Sequence, residues 1–357
     1  MEKKNENNSL DLLFNPNSVV IYQMSPSVSF FIEGFQRQGF DLQKLYLISN
    51  KGEEFMGLKC YNTLDEIHID TIDLLILSIR RELLVKSLRD ILAKKKVNFI
   101  HIFTAGTGEF DTFGIQIEEE IRSLLKSYPN TRAIGPNCMG IYSPRGKTAY
   151  YSSFPTESGN IALVFQSGDL HSKMIKFASR KYKLRFSLGV SIGNCIDIQI
   201  SEILTYFNND SQTDVVCVYF EGFPNHSVLE GKRLLQIFKR MTKPVLFMRG
   251  GKTERGQKAV ISHTGSLAAN KTIWSAIFKQ TNIIEVPPSL EELIDYAYMF
   301  SQYIKRYKKE NKVVEFPDGK RTLVILWSGG FGILATDTLK ELGLDLPYFE
   351  GEALEKL

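Results

Sequence analysis

The densest chemistry in the chain lies in residues 249–268, RGGKTERGQKAVISHTGSLA, where glycines, cations and one histidine crowd together. Gly250, Gly251, Gly256 and Gly265 make the segment supple, Lys252, Arg255 and Lys258 make it basic, and His263 is expected at its tip. A neutral imidazole so placed attacks a phosphoryl group, provided a partner fixes its tautomer so that the free nitrogen faces the ligand. A carboxylate is the usual partner. Glu221, in YFEG at 219–222, ends the preceding expected strand and emerges on the same edge of the sheet. A second turn, FQSGDL at 165–170, passes from strand to helix through Ser167 and Gly168. Its serine hydroxyl and the first helical amides suit a phosphate, with the helix dipole assisting. Asp169 opposes that use, because a carboxylate in the first turn satisfies the dipole itself and repels a dianion; a ligand-free N-cap is the alternative reading. A third turn, IGPNCMG at 134–140, is held by Gly135, Pro136 and Gly140, and the Asn137 amide both donates and accepts. TAGTGE at 104–109 is a similar strand end, offering Thr104, Ala105 and Gly106. Cys138 has no histidine close in sequence and reads as a structural thiol rather than a nucleophile.

Such turns act together only if strands deliver them to one edge of a sheet, as happens at the carboxyl ends of an open α/β sheet. Strand-like apolar runs alternate with helical periodicity, which predicts an α/β fold with parallel sheets. Strands are expected over 19–22, 45–48, 72–79, 99–104 and 132–134, with helices near 30–37, 82–94 and 114–126. These make a five-strand doubly wound unit over 12–145, after a polar tail at 1–11. Residues 142–158, rich in Pro, Ser and Thr, lack either periodicity, so a linker is expected at 146–158. A second unit follows over 159–304. Its expected strands are 161–165, 186–191, 215–219, 245–248 and 283–286, and its helices lie near 170–180, 200–207, 230–241, 268–280 and 290–303. After a lysine-rich linker, 305–320, a strand at 322–326, the turn SGGFG at 328–332 and a helix to about 342 read as the start of a third, incomplete unit.

Length and composition agree with this division. At about 150 residues per domain, 357 residues exceed two domains. With 43% hydrophobic and 24% charged residues, sizeable cores are expected rather than disorder. The longest apolar run is far short of the ~20 residues that cross a bilayer, and residues 1–8 lack the features of a secretory signal. A cytoplasmic protein without a membrane partner is expected. A net charge of +4 is too mild for a nucleic-acid-coating surface. Cys60, Cys138, Cys195 and Cys217 show no CxxC spacing, so neither a zinc site nor a disulfide framework is expected, and no metal ligand set is assigned.

GPNCMG (135–140), GNIALVFQSG (159–168), YFEG (219–222) and SHTGSLA (262–268) resemble, in order and spacing, the α subunit or α-type portion of NDP-forming acyl-CoA synthetases, relatives of succinyl-CoA synthetase. The resemblance runs from about residue 12 to the last. It implies a CoA-binding Rossmann-like domain over 12–145, a flavodoxin-like phosphohistidine domain over 159–304 and the beginning of a ligase-CoA-type domain over 321–357, together a component of an ADP-forming acid–CoA ligase that interconverts acyl-CoA, phosphate and ADP with carboxylic acid, CoA and ATP. It also implies an acyl phosphate and a phosphohistidine as intermediates. His263 would carry the phosphoryl group and Glu221 would orient it. Ser167, Gly168, Gly265 and Ser266 would hold phosphate. CoA would be bound by Ser25, Ser78, Arg80, Thr104, Ala105, Gly106, Asn137 and Cys138. ADP or ATP with Mg2+ would sit on a partner ATP-grasp β subunit or domain, in a hetero-oligomer or homodimer. The chain departs from the family where a glycine-rich turn usually follows the first strand, since YQMSPSVS (22–29) contains no glycine. At 78–81 it has SIRR where the family commonly has a small Val-Pro turn, and Asp169 replaces a small residue. These departures motivate a second hypothesis, a non-catalytic CoA- or acyl-CoA-binding regulatory paralogue with a degenerate pocket. A nicotinamide-dependent dehydrogenase lacks its GxGxxG after residues 19–22.

Overall fold

The structure is a computed structural model that describes residues 10–50, 54–264, 271–348 and 351–352. It divides into two compact units, residues 1–304 and residues 305–357. In the first unit, long aliphatic runs form near-continuously buried parallel strands, the pattern of sheets covered on both faces.

The first sheet has seven strands: β1 (Val19–Tyr22), β2 (Leu45–Ile48), β3 (Glu54–Phe55), β4 (Leu58–Tyr61), β5 (Thr71–Leu77), β6 (Lys96–Ile102) and β7 (Arg132–Ile134). Their order is β3-β4-β2-β1-β5-β6-β7, parallel except for the β3–β4 pair. Strands β1, β2, β5, β6 and β7 lie where sequence periodicity puts them, within a few residues at the ends of β5 and β6. The edge hairpin was not expected, because 54–61 shows no apolar alternation; Met56 (φ 53°) and Gly57 (φ 78°) form the two-residue turn whose left-handed pair closes tight hairpins. After short α1 (Asp11–Phe14), the sheet is covered by α2 (Ser29–Gln38), α3 (Leu84–Lys94) and α4 (Thr112–Lys126). Helix α3 buries Leu84, Leu88, Ile91 and Leu92, whereas Leu83, which precedes it, is exposed.

The second sheet comprises β8 (Gly140–Tyr142), β9 (Ser158–Phe165), β10 (Phe186–Ser191), β11 (Val215–Phe220), β12 (Val245–Arg249) and β13 (Ile283–Val286), ordered β13-β12-β11-β9-β10-β8. Strand β8 runs antiparallel to β10, so the chain enters the second sheet only five residues after leaving the first at Ile134. Between β8 and β9, Ser143 bridges Thr148, and Ala149, Tyr150 and Phe154 are buried. A Cβ on Gly34 of α2 would lie 2.1 Å from the Ala149 carbonyl oxygen, so that helix packs backbone to backbone on this stretch. Helices α5 (Gly168–Tyr182), α6 (Ile200–Asn209), α7 (Glu230–Phe238), α8 (Glu254–Thr264), α9 (Lys271–Gln280) and α10 (Leu290–Lys309) follow.

The two sheets are joined through β7 and the loop after β10. Backbone N–H groups of Gly135, Asn194, Ile196 and Ile198 donate to the carbonyls of Ile192, Pro136, Gly135 and Ala133 at 2.9–3.2 Å. Arg132 reinforces the seam with ion pairs to Asp197 (2.9 Å) and Glu202 (3.1 Å).

In the second unit the strand expected at 322–326 does not form. Pairing there is limited to one bridge, Arg321 with Asp345, and Leu323 and Ile325 are exposed. A strand needs a neighbour to take its N–H and C=O groups, and the described residues of this unit supply no ladder. The helix after the glycine turn is present as α11 (Gly329–Glu341).

Candidate functional site

Two strand ends from the first sheet and one helix start from the second face a common cavity of about 350 Å³. The first sheet contributes Phe103, Ala105, Asn137, Cys138 and Met139; the second contributes Gln166, Ser167, Gly168 and Asp169, with Gly193 and Asn194 from the loop after β10.

The GPNC turn is fixed by close backbone contacts. Asn137 adopts φ 58° and its N–H donates to Thr104 O at 2.9 Å. Gly193, itself at φ 56°, lies so near that a Cβ would sit 2.2 Å from Pro136 O. Cys138 is buried, its Sγ 3.7 Å from Ile102 O, and burial pushes its thiol well up, so it stays protonated. Beneath the turn, His101 donates from Nε2 to Cys138 O at 2.9 Å; burial pulls this imidazole down to about 4 and keeps it neutral. His101 was missed in sequence because 37 positions separate it from Cys138.

The TAGTGE turn is filled by carboxylates, Glu109 of the turn itself and Glu118 of α4. Gly106 and Thr107 donate their N–H groups to Glu109 (2.6 and 3.1 Å), and Gly108 donates to Glu118 at 3.0 Å. The Thr104 hydroxyl donates to Ile79 O at 2.6 Å and ties β6 to the end of β5. Exposed Ala105 remains the member of this trio on the cavity wall. Arg81, rather than Arg80, braces the turn: it donates to Gly106 O at 2.7 Å, grips Asp111 through two bonds of 3.0 and 2.9 Å, and lies against the rings of Phe110 and Phe113. Arg80 is exposed, Ser25 and Ser78 are half-buried, and none of the three lines the cavity. After β1 the turn forms without glycine because Gln23 takes the left-handed conformation, φ 63°.

On the facing side, Ser167 caps α5 by accepting from Leu170 N at 3.3 Å, and Gly168 packs so closely on Met139 that a Cβ would lie 2.4 Å from its Cγ. Asp169 pairs with Lys173 one turn along, at 2.6 Å and on the surface, which offsets part of its repulsion toward an anion.

Glu221 is buried at the end of β11. Gln166 fixes its backbone: Oε1 accepts from Glu221 N (2.5 Å) and Gly222 N (3.1 Å), and Nε2 donates to Gly222 O (2.8 Å). Burial and the adjoining Glu221 carboxylate push the Tyr219 phenol upward. The glycine loop after β12 passes over this point, where a Cβ on Gly250 would lie 3.0 Å from Tyr219 Oη and 3.5 Å from Glu221 Cγ.

His263 is not at a loop tip, as expected, but in the last turn of α8. The helix starts early because Thr253 Oγ1 accepts from Gly256 N at 3.0 Å, an N-cap whose serine-or-threonine signal was masked by the surrounding glycines. Nine residues from Glu254 to His263 carry the backbone about 14 Å along the axis. Gly265 and Ser266 lie outside the described residues. Gln166 and Asn194 carry little sequence signal: Asn194 follows Gly193 in SIGN, and Gln166 lies two residues before Gly168 in FQSG.

Two families match the chain, a CoA binding domain over residues 31–144 and a succinyl-CoA ligase like flavodoxin domain over residues 158–300. An ADP-forming acetate–CoA ligase of Methanocaldococcus jannaschii is 34% identical over 88% of this chain, which spans 42% of that protein. The α subunit of ADP-forming acetate–CoA ligase I of Pyrococcus furiosus is 30% identical, with 95% of this chain matched to 71% of its length. A dinucleotide-forming acetyl-coenzyme A synthetase 1 of Ca. Korarchaeum cryptofilum, solved with phosphate and ADP, superposes with a TM-score of 0.82 at 28% identity, covering 98% of this chain and 72% of that one. This chain thus spans less than half of the first of these relatives and about seven tenths of the other two.

Proposed function

Because the chain belongs to the α-type family of NDP-forming acyl-CoA synthetases, we propose that it is the CoA-handling and phosphoryl-carrying component of an ADP-forming acyl-CoA synthetase. A phosphate oxygen attacks the acyl carbon of the thioester, the C–S bond breaks, and CoA leaves as the thiolate, giving an acyl phosphate. The neutral imidazole of His263 takes the phosphoryl group and the carboxylate departs, while Glu221 holds the ring's other nitrogen. ADP on an ATP-grasp partner then receives the phosphoryl group, and Mg2+ there would offset the phosphate charge. The steps reversed make acyl-CoA.

The observation that supports this reading most is the cavity, where Ala105, Asn137 and Cys138 of the CoA-binding candidates meet Ser167 and Gly168 of the phosphate-binding candidates. A thioester and a phosphate must meet within about 3–3.5 Å, so juxtaposed sites are what the reaction needs. Gly250 and Gly251 (φ 66°) at the foot of α8 suit a segment that carries the phosphoryl group between two sites. The division of labour follows the domains: CoA over 12–145, phosphoryl carriage over 159–304, and residues 321–357 as the start of a further ligase-type domain. The matched relatives are ligases, which favours the synthetase over the non-catalytic paralogue. The test combines the full chain with its ATP-grasp partner, acyl-CoA, phosphate and ADP, and follows ATP and free thiol together. Equal amounts of both, only when both proteins are present, are expected. CoA binding with no turnover would replace this reading with the regulatory one.

A further inference from the structure

Asn194 reaches from the second sheet's loop into the carboxylate cluster that shapes the TAGTGE turn. Its Nδ2 lies 3.2 Å from Thr107 Oγ1, 2.6 Å from Glu109 Oε2 and 2.8 Å from Glu118 Oε1. Chemistry fixes the orientation of this amide, because reversing it would press Oδ1 against two carboxylate oxygens. Oδ1 is therefore left facing away from that cluster, buried and without a hydrogen-bond partner, on a residue only 6% exposed that lines the cavity. Of the other polar groups of the wall, Gln166 spends both ends of its amide on Glu221 and Gly222, Ser167 Oγ caps α5 and Asp169 pairs with Lys173, which leaves the Asn137 amide beside Asn194. Among the buried side-chain atoms left unpaired in the described residues, Asn194 Oδ1 is the one carried by a cavity-lining residue.

A buried acceptor without a donor is costly, and a ligand that brings a donor recovers the loss. That requirement discriminates between the groups the reaction would bring here. A carboxylate and a thioester carbonyl offer acceptors only, and inorganic phosphate near neutral pH brings only its P–OH. The pantetheine arm of CoA carries two amide N–H groups and keeps them whether the sulfur is free or acylated. We propose that Asn194 is a positioning residue for that arm, its Oδ1 accepting a pantetheine amide N–H while its Nδ2 ties the arm to the Glu109–Glu118 cluster. The proposal rests on the synthetase reading and extends it to a residue outside its assigned set.

The test is calorimetric, with full-length chain and two ligands: CoA, and 3′-phospho-ADP, the nucleotide end of CoA without the arm. Asn194→Ala is expected to weaken CoA roughly five- to tenfold and to leave 3′-phospho-ADP within about twofold. Asn194→Ser, whose shorter hydroxyl still offers a donor but does not reach the position of Oδ1, is expected to show the same selective loss and decides the matter where Asn194→Ala does not fold. Unchanged CoA affinity, or equal weakening of both ligands, overturns the proposal, since a purely structural role would not distinguish them. Wild-type chain that binds neither ligand overturns the CoA-handling reading itself, a result separable from a flat response in the variants.

Discussion

Replacing Gly193 by alanine probes the seam on which the cavity depends. The new Cβ would lie 2.2 Å from Pro136 O and 2.6 Å from Asn137 O. Non-bonded carbon and oxygen need about 3.2 Å, so the loop after β10 and the GPNC turn must part by roughly 1 Å. Neither side moves freely, because Gly135, Asn194 and Ile196 donate hydrogen bonds across the gap. Overpacking of this kind costs about 1–3 kcal/mol, and alanine at φ 56° adds about 1 kcal/mol. Gly39 is the control: its φ is 77°, yet nothing lies within 4 Å of its Cβ position, so Gly39→Ala carries the backbone cost alone. Urea unfolding should place Gly193→Ala about 2–4 kcal/mol below wild type and Gly39→Ala about 1 kcal/mol below. A misplacement of 1 Å near the cavity should also weaken CoA binding or slow turnover by tenfold or more, with Gly39→Ala unaffected. If the two variants unfold alike and bind CoA alike, the close approach of the two turns is not what builds the site.

Acid should destabilise the fold through two buried histidines. Burial lowers His101 to about 4 and His171 to about 3, below the unfolded value near 6.5, so the unfolded chain takes up their protons first. Their contribution is complete above pH 6.5 and drains as pH falls toward 4 and 3. By linkage each costs about 2 kcal/mol at pH 5 relative to pH 8, readable as a shift in urea midpoint that His171→Phe should halve. Gln166→Ala frees the backbone of Glu221 and Gly222; phosphoryl transfer should slow tenfold or more, a larger effect than the change in CoA affinity. Asp169→Ala removes a carboxylate from the first turn of α5; phosphate affinity should rise a few-fold at low salt and converge with wild type at high salt.

How much of this was readable from sequence depended on the range of the causes. Buried parallel strands advertise themselves as local apolar runs, and β1, β2, β7, β10 and β13 begin and end where those runs do. Elements defined by partners were invisible: β3 and β4 pair only with each other and the sheet edge, and β8 is apolar but too short to announce which sheet it joins. The strand at 322–326 has the apolar run and lacks the ladder. The site shows the same divide. Glu221 was legible as a carboxylate ending a strand, and Ser167 as an N-cap before a glycine. Asn194 acquires its role from Thr107, 87 positions away, and the choice between Arg80 and Arg81 rests on where Asp111 lies. His263 was noticed by type and motif, but its place in α8 turned on a threonine cap three residues before Gly256.

The central claim, that this chain carries a phosphoryl group on His263 during acyl-CoA chemistry, is met most directly by a label-and-chase. The full chain is incubated with its ATP-grasp partner and ATP labelled at the γ-phosphate, then separated and given CoA with a carboxylic acid. The account predicts an acid-labile, base-stable label on wild type that is absent from His263→Ala and leaves as inorganic phosphate in step with acyl-CoA formed. Label that persists in His263→Ala, or a wild-type chain that never acquires it, would contradict the account.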